Sequence, residues 1–207
     1  MRYGFDFMPP RPEKRAAILE AAYVLLLRDG PGAFSMDTLA VEAGVSKPTI
    51  YTHFGSRADL CRAMVADLAS ELVHDVEVSL RADGTVADRI SAMGTACLGV
   101  LTGERCTAIY RMLMVEGPRD PTIRDVLARD AFDPTNALIA QQFERMLNAG
   151  ELRGADASGL TGVFLGIIKG AWLVPVLAGV RPPLTHDEAT WCAELAARTI
   201  TAAYAPR

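Results

Sequence analysis

The sequence predicts an all-α chain, and three observations carry that reading. Apolar residues return at helical spacing over long stretches, as in Leu60, Met64, Leu68, Leu72 and Val76. Gly and Pro gather between those stretches, at Gly30-Pro31-Gly32 and Gly117-Pro118. Residues 35–60 read as two short helices around a tight turn, followed by the start of a third. Half of the 207 residues are apolar, enough for a substantial core and two domains. The expected layout is an arm over 1–11, a three-helix head with a helix-turn-helix over 12–56, and a larger helical domain over 57–207.

In the arm, Pro9, Pro10 and Pro12 argue against helix. The first helix is expected from Glu13 to Asp29, with Ile18, Ala22, Leu25 and Leu26 on one face. Arg11, Lys14 and Arg15 crowd its first turn, where a phosphate partner would explain cations better than the helix dipole does. Ser35 is placed to cap the next helix. Gly44 ends that helix where a positive φ is needed, and Val45 plugs the corner. Ser46 caps a second short helix, and Pro48 lies in its first turn, where a missing N–H costs little. Ile50 and Phe54 share its buried face. Lys47, Thr49, Tyr51, Thr52 and His53 stay on or beside the outward one, as in a helix-turn-helix offered to a major groove.

The stretch Ala-Gly-Val-Ser-Lys-Pro-Thr-Ile-Tyr-Thr-His-Phe at 43–54, followed by Ser56, Arg57, Asp59 and Leu60, resembles the TetR family of transcriptional regulators. Turn glycine, capping serine and aromatic pair all sit in register, and Arg57 takes a place the family gives to lysine. The match covers residues 12–62. The resemblance implies a homodimer on a palindromic double-stranded DNA operator, released when a small ligand enters the second domain. Repression is the usual outcome. On this reading Lys47, Pro48, Thr49 and Tyr51 face the bases, with Thr52 beside them. Ser35, Ser46, Tyr51, His53 and Arg57 hold phosphates.

Beyond the head, a long helix is expected from Arg57 to Leu80, and two more over 85–102 and 104–116. The latter pair is rich in Met and Cys. Met93, Cys97, Cys106, Tyr110, Met112 and Met114 are candidate linings of an apolar effector cavity, joined by Phe164 and Trp172. The same residues would also serve an ordinary core. One helix over Pro121–Asn148 is expected to bend or break at Pro134, after Asp133. The apolar run 163–180 is about as long as a membrane span. Lys169, Pro175 and the lack of a basic flank argue against that. Gly162, Gly166 and Gly170 recur every four residues and would admit another helix closely. The last helix, 185–204, is expected to turn Trp191, Leu195, Thr199 and Ala202 or Ala203 inward. The final two helices would pair across a dimer axis.

Charge adds little to this. Residues 1–60 hold 7 Lys/Arg and 7 Asp/Glu, and the remainder holds 14 and 18, so binding must rest on a few placed cations. Cys61, Cys97, Cys106 and Cys192 lack metal-ligand spacing and fit buried thiols in a reducing cytoplasm. A redox pair of Cys97 with Cys106 is a less favoured reading. Glu71 and His74 find no third ligand, so neither metal nor cofactor is expected. No signal peptide is evident. Three His and no catalytic constellation argue against an enzyme. The same helices would also suit an adaptor that binds protein, or a DNA-binding dimer that takes no effector.

Overall fold

The computed structural model describes residues 12–79, 84–170 and 172–206. The N-terminal arm, Arg11 and Leu80 lie outside them. Among the described residues the secondary structure is helical throughout. Helix α1 (Pro12–Asp29) starts on Pro12 itself, since the first helical position has no hydrogen bond for a proline to lose. Its face of Ile18, Ala22, Leu25 and Leu26 is buried. A 3-10 turn, Pro31–Ala33, leads into α2 (Met36–Glu42) and α3 (Lys47–Phe54).

Helix α4 (Arg57–Ser79) follows after a two-residue link. Its Leu60, Met64, Leu68, Leu72 and Val76 are all buried. The N-terminal part of that stripe packs against α1 and α3, and the helix goes on to meet α5 (Val86–Thr102) and α6 (Glu104–Glu116). One contiguous apolar cluster therefore runs from Ile18 to Ile200. Full burial of each such side chain is worth about 1.5–3 kcal/mol. Polar ties cross the same junction. The Tyr23 hydroxyl lies 3.0 Å from the Met64 carbonyl oxygen and 3.1 Å from Asp67 Oδ2. Arg105 reaches back to Glu20 at 2.9 Å and stacks its guanidinium over Tyr23.

The expected helix over 121–148 is continuous but changes type. It runs as α7 (Pro121–Asp125), a π-helical segment (Val126–Phe132) and α8 (Asp133–Asn148). Pro134 cannot donate to the preceding turn and its ring crowds the carbonyl four residues back. The chain relieves this by widening: the Asp133 N–H donates to Ala128 O, five residues back.

One expectation for the last third, the inward side of its final helix, is corrected. The apolar run divides into α9 (Ala157–Gly170) and a short α10 (Leu173–Leu177), and among the described residues no helix is long and apolar enough to cross a membrane. In α11 (His186–Tyr204) the inward face is Ala189, Cys192, Ala193, Ala196, Ala197 and Ile200. Trp191 and Leu195 point outward, 52% and 38% exposed, and Thr199, Ala202 and Ala203 share their side. Small residues face in because α11 lies very close to α5. A Cβ on Gly94 would come within 2.7 Å of Ala193 Cβ. That close approach occurs at Gly94, whereas a Cβ on Gly162, Gly166 or Gly170 meets nothing within 4 Å.

Gly94→Ala gains about 1 kcal/mol of helix propensity. It must also open the α5–α11 contact, an overpacking cost of about 1–3 kcal/mol. A lower urea midpoint is expected for Gly94→Ala, and a higher one for Gly99→Ala, where the same helix has room.

Candidate nucleic-acid interface and ligand cavity

The two short helices are held by their ends. Ser35 Oγ accepts from the Thr38 N–H at 3.1 Å, and Thr38 Oγ1 accepts from the Ser35 N–H at 3.0 Å, a reciprocal cap for α2. Gly44 adopts φ 63°, which lets the Val45 N–H donate to Ala40 O at 3.0 Å and the Gly44 N–H to Val41 O at 3.2 Å. Ser46 Oγ accepts from the Thr49 N–H at 3.2 Å and caps α3. Ile50 and Phe54 are buried on the inner side of α3. The angle between α2 and α3, and the outward side of α3, thus follow from local backbone chemistry.

Of the residues expected on that outward side, Pro48, Tyr51 and Thr52 are exposed, Tyr51 to 41%. Lys47, Thr49 and His53 are half-buried. Lys47 Nζ pairs with Asp37 at 3.0 Å, a solvent-exposed bond that costs little to exchange. The hydroxyls of Thr49 and Thr52 are occupied locally, on Ser46 Oγ at 2.7 Å and Pro48 O at 2.9 Å. Those of Ser35 and Ser46 are engaged as caps. His53 Nδ1 is enclosed without a hydrogen-bond partner among the described residues. Arg15, in the first turn of α1, lays its guanidinium 5.0 Å over the Phe54 ring, at the end of α3.

Arg57, expected at a phosphate, has partners within the protein. Its Nη1 pairs with Glu116 Oε2 at 2.9 Å, its Nη2 donates to Phe34 O at 3.1 Å, and the guanidinium stacks over Phe34. The short link after the recognition helix brings it to the start of α4, under the end of α6, and there it locks head to second domain.

In the second domain, a small apolar cavity of about 30 Å³ lies between α4, α5, α6 and the π-helical segment. Of the eight expected lining residues it collects Cys106 and Tyr110. Met93, Cys97, Met112 and Phe164 are fully buried core, Phe164 edge-on to Phe143. Met114 is 52% exposed, because it follows Met112 by two positions and so takes nearly the opposite side of α6. Trp172 lies edge-on to Trp191, close to the surface. The cavity's other walls include Val65, Leu68, Leu72, Val100, Asp130 and Thr135. Leu68 and Leu72 belong to a visible apolar stripe. Asp130 gives no sign of itself in sequence; it is held at the wall by Arg62 Nε at 3.0 Å, and Arg62 also pairs with Asp59. All four cysteines are free and buried, and burial pushes the Cys61, Cys97 and Cys106 thiols up to about 12. Among the described residues no group of three His, Cys, Asp or Glu could hold a metal.

This arrangement matches known proteins over nearly its whole length. Residues 18–64 fit the model of bacterial regulatory proteins of the tetR family, and residues 88–206 fit the C-terminal domain of AefR-like transcriptional repressors. The chain belongs to the TetR family. Members are DNA-binding transcriptional regulators and not enzymes. The DNA-binding transcriptional repressor TetR of Mycobacteroides abscessus is 30% identical over 70% of this chain and 74% of its own. The HTH-type transcriptional activator FasR of Mycolicibacterium smegmatis is 37% identical over 40% of this chain and 38% of its own. In fold, a TetR-family regulator from Mesorhizobium loti superposes with a TM-score of 0.79 at 18% identity, covering 94% of this chain and 98% of that one.

For this TetR-family chain, Arg57→Ala separates a scaffold role from a phosphate contact. Loss of the half-exposed pair with Glu116 is expected to cost about 1–2 kcal/mol in urea unfolding. The slope of DNA affinity against salt is expected to stay as in the unsubstituted protein, since no phosphate contact is removed.

Proposed function

We propose that the protein is a homodimeric repressor that binds a palindromic operator and leaves it when a small apolar effector enters the second domain. The observation that carries this reading is the path from cavity to head. Asp130 on the cavity wall holds Arg62, Arg62 holds Asp59, and Asp59 Oδ2 accepts from Ser56 Oγ at 2.6 Å beside the end of α3. A ligand that enlarges a 30 Å³ cavity must move its walls, α4 among them. The head moves with that helix, because Leu60 and Met64 are buried against it. Two heads that fit half-sites about 34–36 Å apart then no longer fit together.

The division into an arm over 1–11, a head over 12–56 and an effector and dimer domain over 57–207 belongs to this reading. Dimerisation is assigned to the outward face of α9 and α11. Val163, Trp191 and Leu195 lie exposed there, and Gly162 and Gly166 leave α9 open to a neighbour. Two such faces joined about a two-fold axis make a four-helix interface. Base contacts fall to Lys47, Pro48, Thr49 and Tyr51, and Lys47 has only to exchange Asp37 for the duplex. Thr52 flanks them, while Ser35, Ser46 and His53 border the phosphates. The assignment to repression follows the description of the C-terminal model rather than the activator FasR. A cytoplasmic location accords with a DNA target and four free thiols.

Selection of duplexes from a random pool tests the reading directly. A palindrome whose binding weakens steeply with salt supports it, and recovery of no sequence overturns it. With that duplex, Lys47→Ala is expected to lose about 1–3 kcal/mol of affinity at unchanged thermal stability. The pair Trp191→Glu and Leu195→Glu sets four like charges against one another at the two-fold axis. Sedimentation is expected to show a folded monomer, with operator affinity reduced to that of a single half-site.

A further inference from the structure

Lys169 carries a charge that no carboxylate among the described residues pairs with. It stands in the last turn of α9, the most apolar of the long helices, with its ammonium 5.8 Å from the centre of the Phe132 ring. Phe132 packs its ring 5.8 Å from that of Tyr110, and Tyr110 and Cys106 line the cavity. The ammonium is near enough to Cys97 and Cys106 to offset part of the burial that raises their thiols. Among the described residues it forms neither an ion pair nor a hydrogen bond. The carboxylate on the cavity wall is not available to it, because Asp130 is held by Arg62 at 3.0 Å. Burial holds the Lys169 pKa below the ordinary lysine range. A largely enclosed cation is costly unless an anion answers it.

The neighbouring cavity is apolar on most sides, with Val65, Leu68, Leu72 and Val100 among its walls. One wall, the π-helical segment, bears both Phe132 and Ala131 and has a wider, less regular hydrogen-bond pattern than the helices around it. Phe132 touches both the cavity-lining Tyr110 and the Lys169 ammonium, and at 37% exposed it has room to move outward.

We propose that Lys169 is the countercharge for an anionic head group, so that the effector of this cavity is an amphipathic carboxylate with its apolar chain among α4, α5 and α6. This rests on the effector reading above and narrows it to a chemical class. A carboxylate gains a charge-assisted hydrogen bond on leaving water. The matching alcohol has only a neutral group to offer and leaves the ammonium without a counterion.

The test uses the full chain and two matched series, straight-chain carboxylates and primary alcohols of about six to twelve carbons. Binding is measured by calorimetry, and release from the selected duplex by fluorescence anisotropy. At least one carboxylate is expected to bind about tenfold or more tightly than its alcohol. Lys169→Met should bring that ratio close to one by weakening the acid alone, and Lys169→Arg should retain the preference. The Met variant is expected to melt no lower than the unsubstituted protein, since an apolar side chain replaces an unpaired charge. If acid and alcohol bind equally, or Lys169→Met keeps the ratio, the countercharge is wrong while the effector cavity stands. If neither series binds, both the cavity as effector site and the countercharge fall.

Discussion

Helix α4 is buried along one face from its first turn to nearly its last, and most of the structure depends on that continuity. Leu60, Met64, Leu68, Leu72 and Val76 share one stripe, so the side that seals the head also seals the apolar cavity. Packed interiors deform little, and a displacement on one part of such a stripe is passed along the rod instead of being absorbed. The polar ties reinforce the same joint: Tyr23 on Met64 and Asp67, Arg57 on Glu116, and Arg62 between Asp59 and Asp130. Head and second domain are joined at this seam by buried apolar contacts, hydrogen bonds and ion pairs, although each can be recognised separately in the sequence.

The recognition surface shows how much of a binding face is spoken for before any partner arrives. Ser35, Ser46, Thr49 and Thr52 all point hydroxyls at nearby backbone or side-chain groups. Their first contribution is to fix two helix starts and the angle between them. What α3 then presents freely is an aromatic ring, a proline and a lysine in an exposed ion pair. Arg57 shows the same from the other side: a cation close in sequence to the recognition helix is paired with a half-buried glutamate on α6. Charge proximity along the chain does not decide which anion a guanidinium meets.

A similar inversion governs α11. Large apolar residues at helical spacing ordinarily mark the buried side. Here the buried side is built from alanines and Cys192, because Gly94 and Ala193 bring α5 and α11 almost into backbone contact. Trp191 and Leu195 are displaced to the outside, and the fold keeps a tight internal seam together with an apolar external face. Lys169 is the complementary case, a charged side chain left largely inside, beside the Phe132 ring.

The amino-acid sequence by itself determined the helices, their caps and breaks, and the head's local geometry. Ser35, Gly44, Val45, Ser46 and Pro48 act through hydrogen bonds and dihedral limits that reach only a few residues, so their effect is readable in order along the chain. It also carried enough of the head's pattern to point to the family. The tertiary structure decided which side of α11 faces in, where Arg57 is held, and which two of eight candidate residues meet at a cavity. Those outcomes depend on contacts between residues far apart in sequence, such as Gly94 with Ala193 and Arg62 with Asp130. Periodicity names the sides of a helix, but only packing chooses which neighbour each side will meet.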